Sequence, residues 1–417
     1  MKRRSLRFIA IFLTFLTITL VMPSALVLHL NGDFFTLELP DVALSASDIQ
    51  EDEQPQVEDV QSKDEEVVPD QTQDDDVTPD LTQDDQNQDE DTMAYDDTDP
   101  PQDEDVDVDP DPIVTITISA AGDVTFGGSP ASSGYLNYMR EFEELDSDFT
   151  YYFRNVKHIF TNDDLTLINL EGTLTEETKH RGNTYNFCAD PDFAKALSSS
   201  GIEAVSLANN HSGDFLEKGY EDTKESLEAE GVAYFGNKTN TILEIKGIKV
   251  GLFGFLTWVD TRENRNNIRN AIDDLRGNGA DLVIAYFHWG VETEYRSNSH
   301  QWDLGHFTVD NGADLVLGSH PHVIQGIEVY KGKNIVYSLA NFSFGANRRP
   351  FDMDSFIFQQ TFTFENGVLQ NTNETNIIPI RTTSARTYNN SQPTPVEGRD
   401  AERILELLQR LSNELKR

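Results

Sequence analysis

The sequence predicts an α/β fold, and three observations carry that prediction. From residue 113 onward, short apolar runs alternate with amphipathic stretches of helical period, and later runs add a mixed sheet. Five of the apolar runs end in a side chain able to bind a metal ion. The stretch before them, residues 41–112, is too acidic and too poor in apolar side chains to bury a core, so the fold must begin after it.

Taken in order, residues 1–30 open with Lys2, Arg3, Arg4 and Arg7 and continue as an apolar run over residues 8–30. A run of that length can span a bilayer core of roughly 30 Å as a helix. The basic flank predicts a cytoplasmic N-terminus, and no small-residue cleavage site directly follows the apolar core. We therefore expect a single-pass signal anchor in the cell membrane, with the main domain extracellular. The rival reading is a cleaved signal peptide.

Residues 31–112 read as an extended, disordered acidic linker. The chain carries a formal net charge of −41, and residues 41–112 alone hold 29 Asp and Glu against one Lys. The acidity thus belongs to the linker, and it argues against nucleic acid as a partner, because phosphates would be repelled. Cys188 is the sole cysteine, so no intramolecular disulfide can form, and a small buried hydrophobe is its expected role.

The folded domain is expected over residues 113–390, followed by a C-terminal helix in residues 391–417. Its first strand, 113–121, runs into Gly122-Asp123. A second, 165–170, ends in Glu171-Gly172. After a helix over 191–200, the run 204–208 ends in Asn209-Asn210-His211. A helix follows at 216–230 and stops at Gly231. Residues 241–245 and 249–255 read as a hairpin around Lys246-Gly247-Ile248, and 266–276 as a helix. The buried run 281–287 ends in His288-Trp289-Gly290-Val291-Glu292. A helix over 301–311 leads to the apolar run 313–317 and then Gly318-Ser319-His320-Pro321-His322. Strands are expected again at 323–330, 334–339, 341–344, 355–364 and 368–380, and a helix at 399–416.

Two histidines one residue apart, on a turn fixed by proline at a strand end, can aim both imidazoles into one site. Alone, that pattern fits solvent-exposed loop histidines better. What strengthens it is the company: Asp123, Glu171, Asn210 with His211, and His288 all fall at strand C-ends. Six or seven nitrogen and oxygen donors without a thiolate suit Mn, Zn or Fe, and two such ions if the site is catalytic.

Six motifs in this order make the stretch recognisable: Ala121-Gly122-Asp123, Asn169-Leu170-Glu171-Gly172, Leu207-Ala208-Asn209-Asn210-His211, His288-Trp289-Gly290-Val291-Glu292, Gly318-Ser319-His320-Pro321-His322-Val323 and Tyr337-Ser338-Leu339-Ala340-Asn341-Phe342. Together they resemble the CapA family of poly-γ-glutamate capsule biosynthesis proteins, a branch of the calcineurin-like metallophosphoesterases. The resemblance implies a four-layer α/β/β/α sandwich with a metal site at one edge. Asp123, Glu171, Asn210, His288, His320 and His322 would be metal ligands, and His211 would donate a proton to a leaving oxygen. Asn209, Trp289, Glu292 and Asn341 are expected to contact substrate. Two departures weigh against ordinary phosphoesterase activity. Glu171 stands where a bridging Asp is usual, and the first motif lacks its D-x-H histidine, Asp123 being followed by Val124 and Thr125. Ala340 stands where the family usually shows Gly, a change expected to be tolerated if φ stays negative.

Among the remaining candidates, Tyr185 and Phe187 read as core or groove wall. Arg348 and Arg349 suit either an anionic polymer or plain solvent. His158, His180, His300 and His306 fall off the strand-end pattern. The function the resemblance implies is synthesis or export of an anionic surface polymer, poly-γ-glutamate, with membrane-bound synthase subunits as partners and a metal-dependent hydrolase as one form it could take. The alternatives are a non-catalytic subunit that binds polymer or synthase, and a secreted phosphodiesterase or nucleotidase, for which Trp258 and Trp289 are the stacking candidates.

Overall fold

The computed structural model describes residues 25–30, 33–38, 113–130 and 132–415. They fall in two compact units, Met1–Pro101 and Gln102–Arg417. In the first unit Ala25–Leu30 pairs antiparallel with Asp33–Glu38. The apolar run expected to be helical to residue 30 is therefore extended over its last six residues. The intervening Asn31-Gly32 is the dipeptide that most favours a two-residue hairpin turn. The rest of the expected anchor, and the linker apart from Asp33–Glu38, lie outside the described residues. Among those described, no helix is long and apolar enough to cross a membrane.

The second unit holds two large sheets. In the first, strands run in the order Thr394–Pro395, Glu374–Arg381, Asp354–Glu365, Ile113–Thr125, Leu165–Leu170, Ala204–Ser206 and Ala233–Phe235, the last four parallel to one another. In the second the order is Ile327–Tyr330, Lys333–Val336, Leu315–Ser319, Leu282–Trp289, Ile248–Thr257 and Thr241–Ile245, with a parallel centre of four strands.

Side-chain alternation sorts each central strand into two faces and so fixes the layers. Ile116, Ile118, Leu165 and Leu167 from the first sheet meet Val250, Leu252, Leu282, Ile284 and Leu315 from the second in one core between the sheets. The opposite face of the first sheet, with Ala121, Val124, Ile168 and Val205, is covered by residues such as Tyr138, Phe142, Phe193, Leu197 and Leu227 of its helical connections. On the second sheet, Val283, Ala285 and Phe287 pack under Ile268, Ile272 and Leu275 of the Arg262–Gly277 helix and Leu304 of the Ser299–Asp310 helix. The layers are thus α/β/β/α, as expected.

Differences from the sequence expectation are local. The first strand continues through Gly122-Asp123 to Thr125, and a helix over Ser133–Glu144, capped by Ser132, was not anticipated. The expected strand 323–330 is regular only from Ile327, and the expected strand 368–380 is two pieces, Val368–Leu369 and Glu374–Arg381. The C-terminal helix Gly398–Glu414 buries Ile404, Leu408 and Leu411 in the core between the sheets. Ala340 has φ +63°. The condition on which an alanine was expected to be tolerated there is not met, and a Cβ in this region is unfavourable by about 1 kcal/mol. Its carbonyl is locked in place: it accepts from the Asp123 amide at 3.0 Å, and it lies 1.8 Å from where a Cβ on Gly122 would sit. Only glycine fits at position 122.

Candidate metal and active site

Strand register brings the site together. Asn169 and Asn341 both stand opposite Asp123, in neighbouring strands, and His288 stands opposite Ser319, one residue before His320. Asp123, Asn169 and His288 lie at or near C-terminal strand ends, where parallel sheets leave a crevice, and Asn341 opens the short strand Asn341–Phe344 beside them.

Asp123 is fully buried. Its Oδ1 accepts from Asn169 Nδ2 at 2.8 Å, and its Oδ2 lies 3.2 Å from His322 Nδ1 and 3.4 Å from the His320 amide. Glu171 is also fully buried, and neither of its carboxylate oxygens has a hydrogen-bond partner. His288 Nε2 and His322 Nε2 lie 3.7 and 3.9 Å from Glu171 Oε1. Two sets of ligand atoms converge to within 4.8 Å of one another: Asp123, Glu171 and His322 on the inside, and Glu292, His320 and His322 at the mouth, where Glu292 is exposed. His320 has φ +97° and His322 φ +57°. Strained backbone of this kind persists where the surrounding structure holds it for a purpose.

The electrostatics follow from burial and crowding. Burial, with Asp123 adding to it, raises the Glu171 carboxyl to about 7. Burial opposes protonation of His322 too, but Glu171 and Asp123 outweigh it and lift the imidazole to about 10. Burial and then His322 bring His320 down to about 3. Burial, then His320 and His322, hold His288 well below the usual range. A buried carboxylate with no donor costs several kcal/mol unless a cation meets it. The partnerless oxygens of Glu171, and the partnerless Oδ1 of Asn210, fit a divalent cation held by oxygen and imidazole ligands.

Beside this cluster stands a second device. His211 Nδ1 lies 2.7 Å from Asp214 Oδ2, and its ring stacks on Phe187 with centroids 4.1 Å apart. Burial disfavours the charged ring, but the bond to Asp214 and the charge of Glu171 raise its pKa. With Nδ1 committed to Asp214, Nε2 is the atom free to give a proton. Asn209 couples the two devices: its Nδ2 donates to Asn169 Oδ1 at 3.0 Å and to the Leu170 carbonyl at 2.8 Å, and its Oδ1 accepts from the His211 amide at 3.1 Å.

Of the expected site residues, Asp123, Glu171, His211, His320 and His322 come together. Glu292 joins them at the mouth, and Asn210 keeps one buried side-chain oxygen without a partner. His288 arrives in the cluster but outside both convergent sets, its Nδ1 3.3 Å from Asn169 Nδ2 and its Nε2 3.1 Å from His320 Nδ1. Asn341 steadies His322, Oδ1 to Nδ1 at 3.0 Å, and Asn209 is buried; both position other residues. Trp289 is not in the site. It is wholly buried on the outer face of the second sheet, stacked on Phe287 and Tyr337, with Nε1 donating to the Tyr337 carbonyl at 2.8 Å. Trp258 forms the wall instead, 4.6 Å from the His320 ring. Arg348 pairs with Glu141 and stacks on Tyr388.

Sequence reasoning gave no role to Asn169 or Asp214. Asn169 stands two residues before Glu171, and hence on the same strand face, and Asp214 follows His211 at the spacing of a single turn. Those were the available signals.

Comparison with known proteins agrees with this geometry. A family model described as bacterial capsule synthesis protein PGA_cap matches residues 117–346, a span that includes every ligand candidate. The capsule biosynthesis protein CapA of Bacillus anthracis is 31% identical over 221 residues, which cover 46% of this chain and 54% of that protein. The PGA biosynthesis protein CapA of Bacillus subtilis is 28% identical over 247 residues, 54% of this chain and 62% of that one. A protein of Mycobacterium tuberculosis described as a probable polyglutamine synthesis accessory protein is 26% identical over 208 residues, 42% of this chain and 54% of its own length. The matches thus span little more than half the length of these relatives. The family match covers more than half of the present chain, and so the chain belongs to the bacterial capsule synthesis (CapA) family, within the metallophosphoesterase-like superfamily.

Proposed function

We propose that this chain is a membrane-anchored, extracytoplasmic protein of poly-γ-glutamate capsule synthesis or export, and that its site is a divalent-cation centre that cleaves the polymer. The observation that carries the proposal is Glu171, a buried carboxylate with both oxygens unpartnered beside Asp123 and His322. The polymer is suggested by the name of the Bacillus subtilis relative, a PGA biosynthesis protein.

Asp123, Glu171 and His322 would hold one ion, with Asn210, His288, His320 and Glu292 as the further donors in reach of the same crevice. A bound ion acidifies a water and polarises the carbonyl of the bond to be cut. The chain's own residues do the rest. Asn169 fixes the Asp123 carboxylate, Asn341 fixes the His322 ring, and Asp214 accepts from His211 Nδ1 and favours the cationic ring, whose Nε2 proton is then available. In hydrolysis of a γ-amide, hydroxide adds to the carbonyl carbon, the carbon–nitrogen bond breaks, and the His211 proton passes to the leaving nitrogen.

A second reading has its own support. Thr125 occupies the position of the missing D-x-H histidine, buried and with its hydroxyl unpartnered. A site short of one ligand suits an accessory subunit that holds polymer without cutting it. The test is to incubate the full-length chain with Mn²⁺ or Zn²⁺ and poly-γ-glutamate and follow polymer length by gel filtration. Shortening that is absent from the Glu171→Gln variant supports cleavage. Unchanged length with retained binding sinks the hydrolase and leaves the accessory role.

A further inference from the structure

The loop between Leu174 and Cys188 crosses the turn that carries His211, and Asp214 ties it down at two points. The Asp214 carbonyl accepts from the Arg181 amide at 2.7 Å, and its Oδ2 accepts from the Phe187 amide at 2.7 Å. His180 braces the same place, Nδ1 2.6 Å from the Arg181 carbonyl and ring centroid 5.7 Å from that of Phe215. The Arg181 side chain is therefore delivered to the His211 turn and lies flat against it. A Cβ on Gly213 would stand 2.8 Å from one of its terminal nitrogens and 3.2 Å from its Cζ.

Several arginines of this unit are paired with carboxylates: Arg265 with Asp260, Arg276 with Asp314, Arg348 with Glu141. The guanidinium of Arg181 is exposed and has no carboxylate or other hydrogen-bond partner among the described residues. Its loop neighbour Tyr185, 62% exposed, leans on Phe187, which in turn carries the His211 ring. A planar, bidentate cation thus lies against Gly213, the residue two positions after the proton donor His211, in a chain that is strongly acidic.

We propose that Arg181 is a carboxylate-binding residue of the site, taking the free carboxylate next to the amide nitrogen that His211 protonates. The inference rests on the reading above that the polymer is poly-γ-glutamate. In that polymer each main-chain nitrogen is bonded to a carbon that bears a free carboxylate. The group leaving toward His211 therefore carries its negative charge immediately beside the nitrogen, on the side where Arg181 waits. The absence of a side chain at Gly213 is what lets the guanidinium lie there.

The experiment uses the full-length chain and its Arg181→Gln, Arg181→Lys and Gly213→Ala variants. Binding is measured to poly-γ-glutamate and to its α-methyl ester, which keeps the backbone and removes the charge. Loss of one charge-assisted bidentate contact predicts roughly 10-fold or more weaker binding of the charged polymer by Arg181→Gln. Arg181→Lys should recover part of the loss, Gly213→Ala should weaken binding by displacing the guanidinium, and the ester should bind all four proteins alike. Equal binding of the charged polymer by wild type and Arg181→Gln overturns the inference. Wild type that binds neither polymer, yet cleaves a simple phosphodiester, overturns the polymer reading and the role of Arg181 with it.

Discussion

Glu171 and Asp314 are both carboxylates taken out of water, at opposite ends of the strands. Asp314 stands just before the strand Leu315–Ser319, and the chain meets its charge completely: Arg276 at 2.6 Å, Lys333 at 2.9 Å and the Val283 amide at 2.9 Å. Glu171 stands just after the strand Leu165–Leu170 and receives no hydrogen bond at all. The same sheet architecture spends donors on one carboxylate and withholds them from the other. Asp314 knits the helix side of the second sheet together, whereas Glu171, on the proposed reading, is open to a cation the chain does not supply.

The largest effect should come from breaking the satisfied end. Asp314→Ala strands two cations and an amide, and we expect a loss of about 3–5 kcal/mol in urea unfolding, with divalent-cation binding unchanged. If cation binding falls in parallel with stability, the two ends are not separate in role. Smaller, and confined to the other end, is the effect of Asp214→Asn. It leaves the fold but frees His211, so turnover should drop roughly 10–100-fold. Because Asp214 raises the His211 pKa, its removal should also move the alkaline limb of the pH–rate profile to lower pH. An unshifted limb would mean that His211 is not the proton donor.

The smallest effect sharpens the comparison at the strand starts. Glu203 accepts only one amide bond, from Thr166 at 2.8 Å, and burial raises it from 4.5 to about 7. A carboxyl raised on folding gives stability that is fully present below its unfolded value and is lost as pH rises through the folded one. Glu203→Gln should therefore flatten the decline in urea midpoint between pH 4.5 and about 7. A decline as steep as in wild type would assign it to another group, with Asp163, raised by burial to about 6, next in line.

Much of this was legible in the sequence, for reasons particular to each element. Parallel strands bury both faces, so they stand out as apolar runs, and the crevice at their C-ends made Asp123, Glu171, His211, His320 and His322 readable as one site. Parity along a strand also separates His288 from Trp289: residues 282, 284, 286 and 288 face the other sheet, while 283, 285, 287 and 289 face the helices. That signal was present, and motif proximity overrode it. The roles of Asn169 and Asn341 depend on which residue of a neighbouring strand stands opposite Asp123, and register is a tertiary fact. The helix Ser133–Glu144 starts with Ser-Gly and buries only Tyr138 and Phe142, too sparse a stripe to read in advance. Arg181 was invisible because its meaning lies in the contact with Gly213, distant along the chain.

The central claim is that Glu171 is left unsatisfied in order to meet a cation. The direct test is calorimetric titration of Mn²⁺ or Zn²⁺ into chelator-stripped full-length wild type, Glu171→Gln and Asp314→Asn. The account predicts tight binding by wild type and Asp314→Asn, and binding weakened on the order of 100-fold or more in Glu171→Gln, which should nevertheless unfold no more readily than the cation-free wild type. Equal cation affinity in wild type and Glu171→Gln, or no binding by folded wild type, would contradict it.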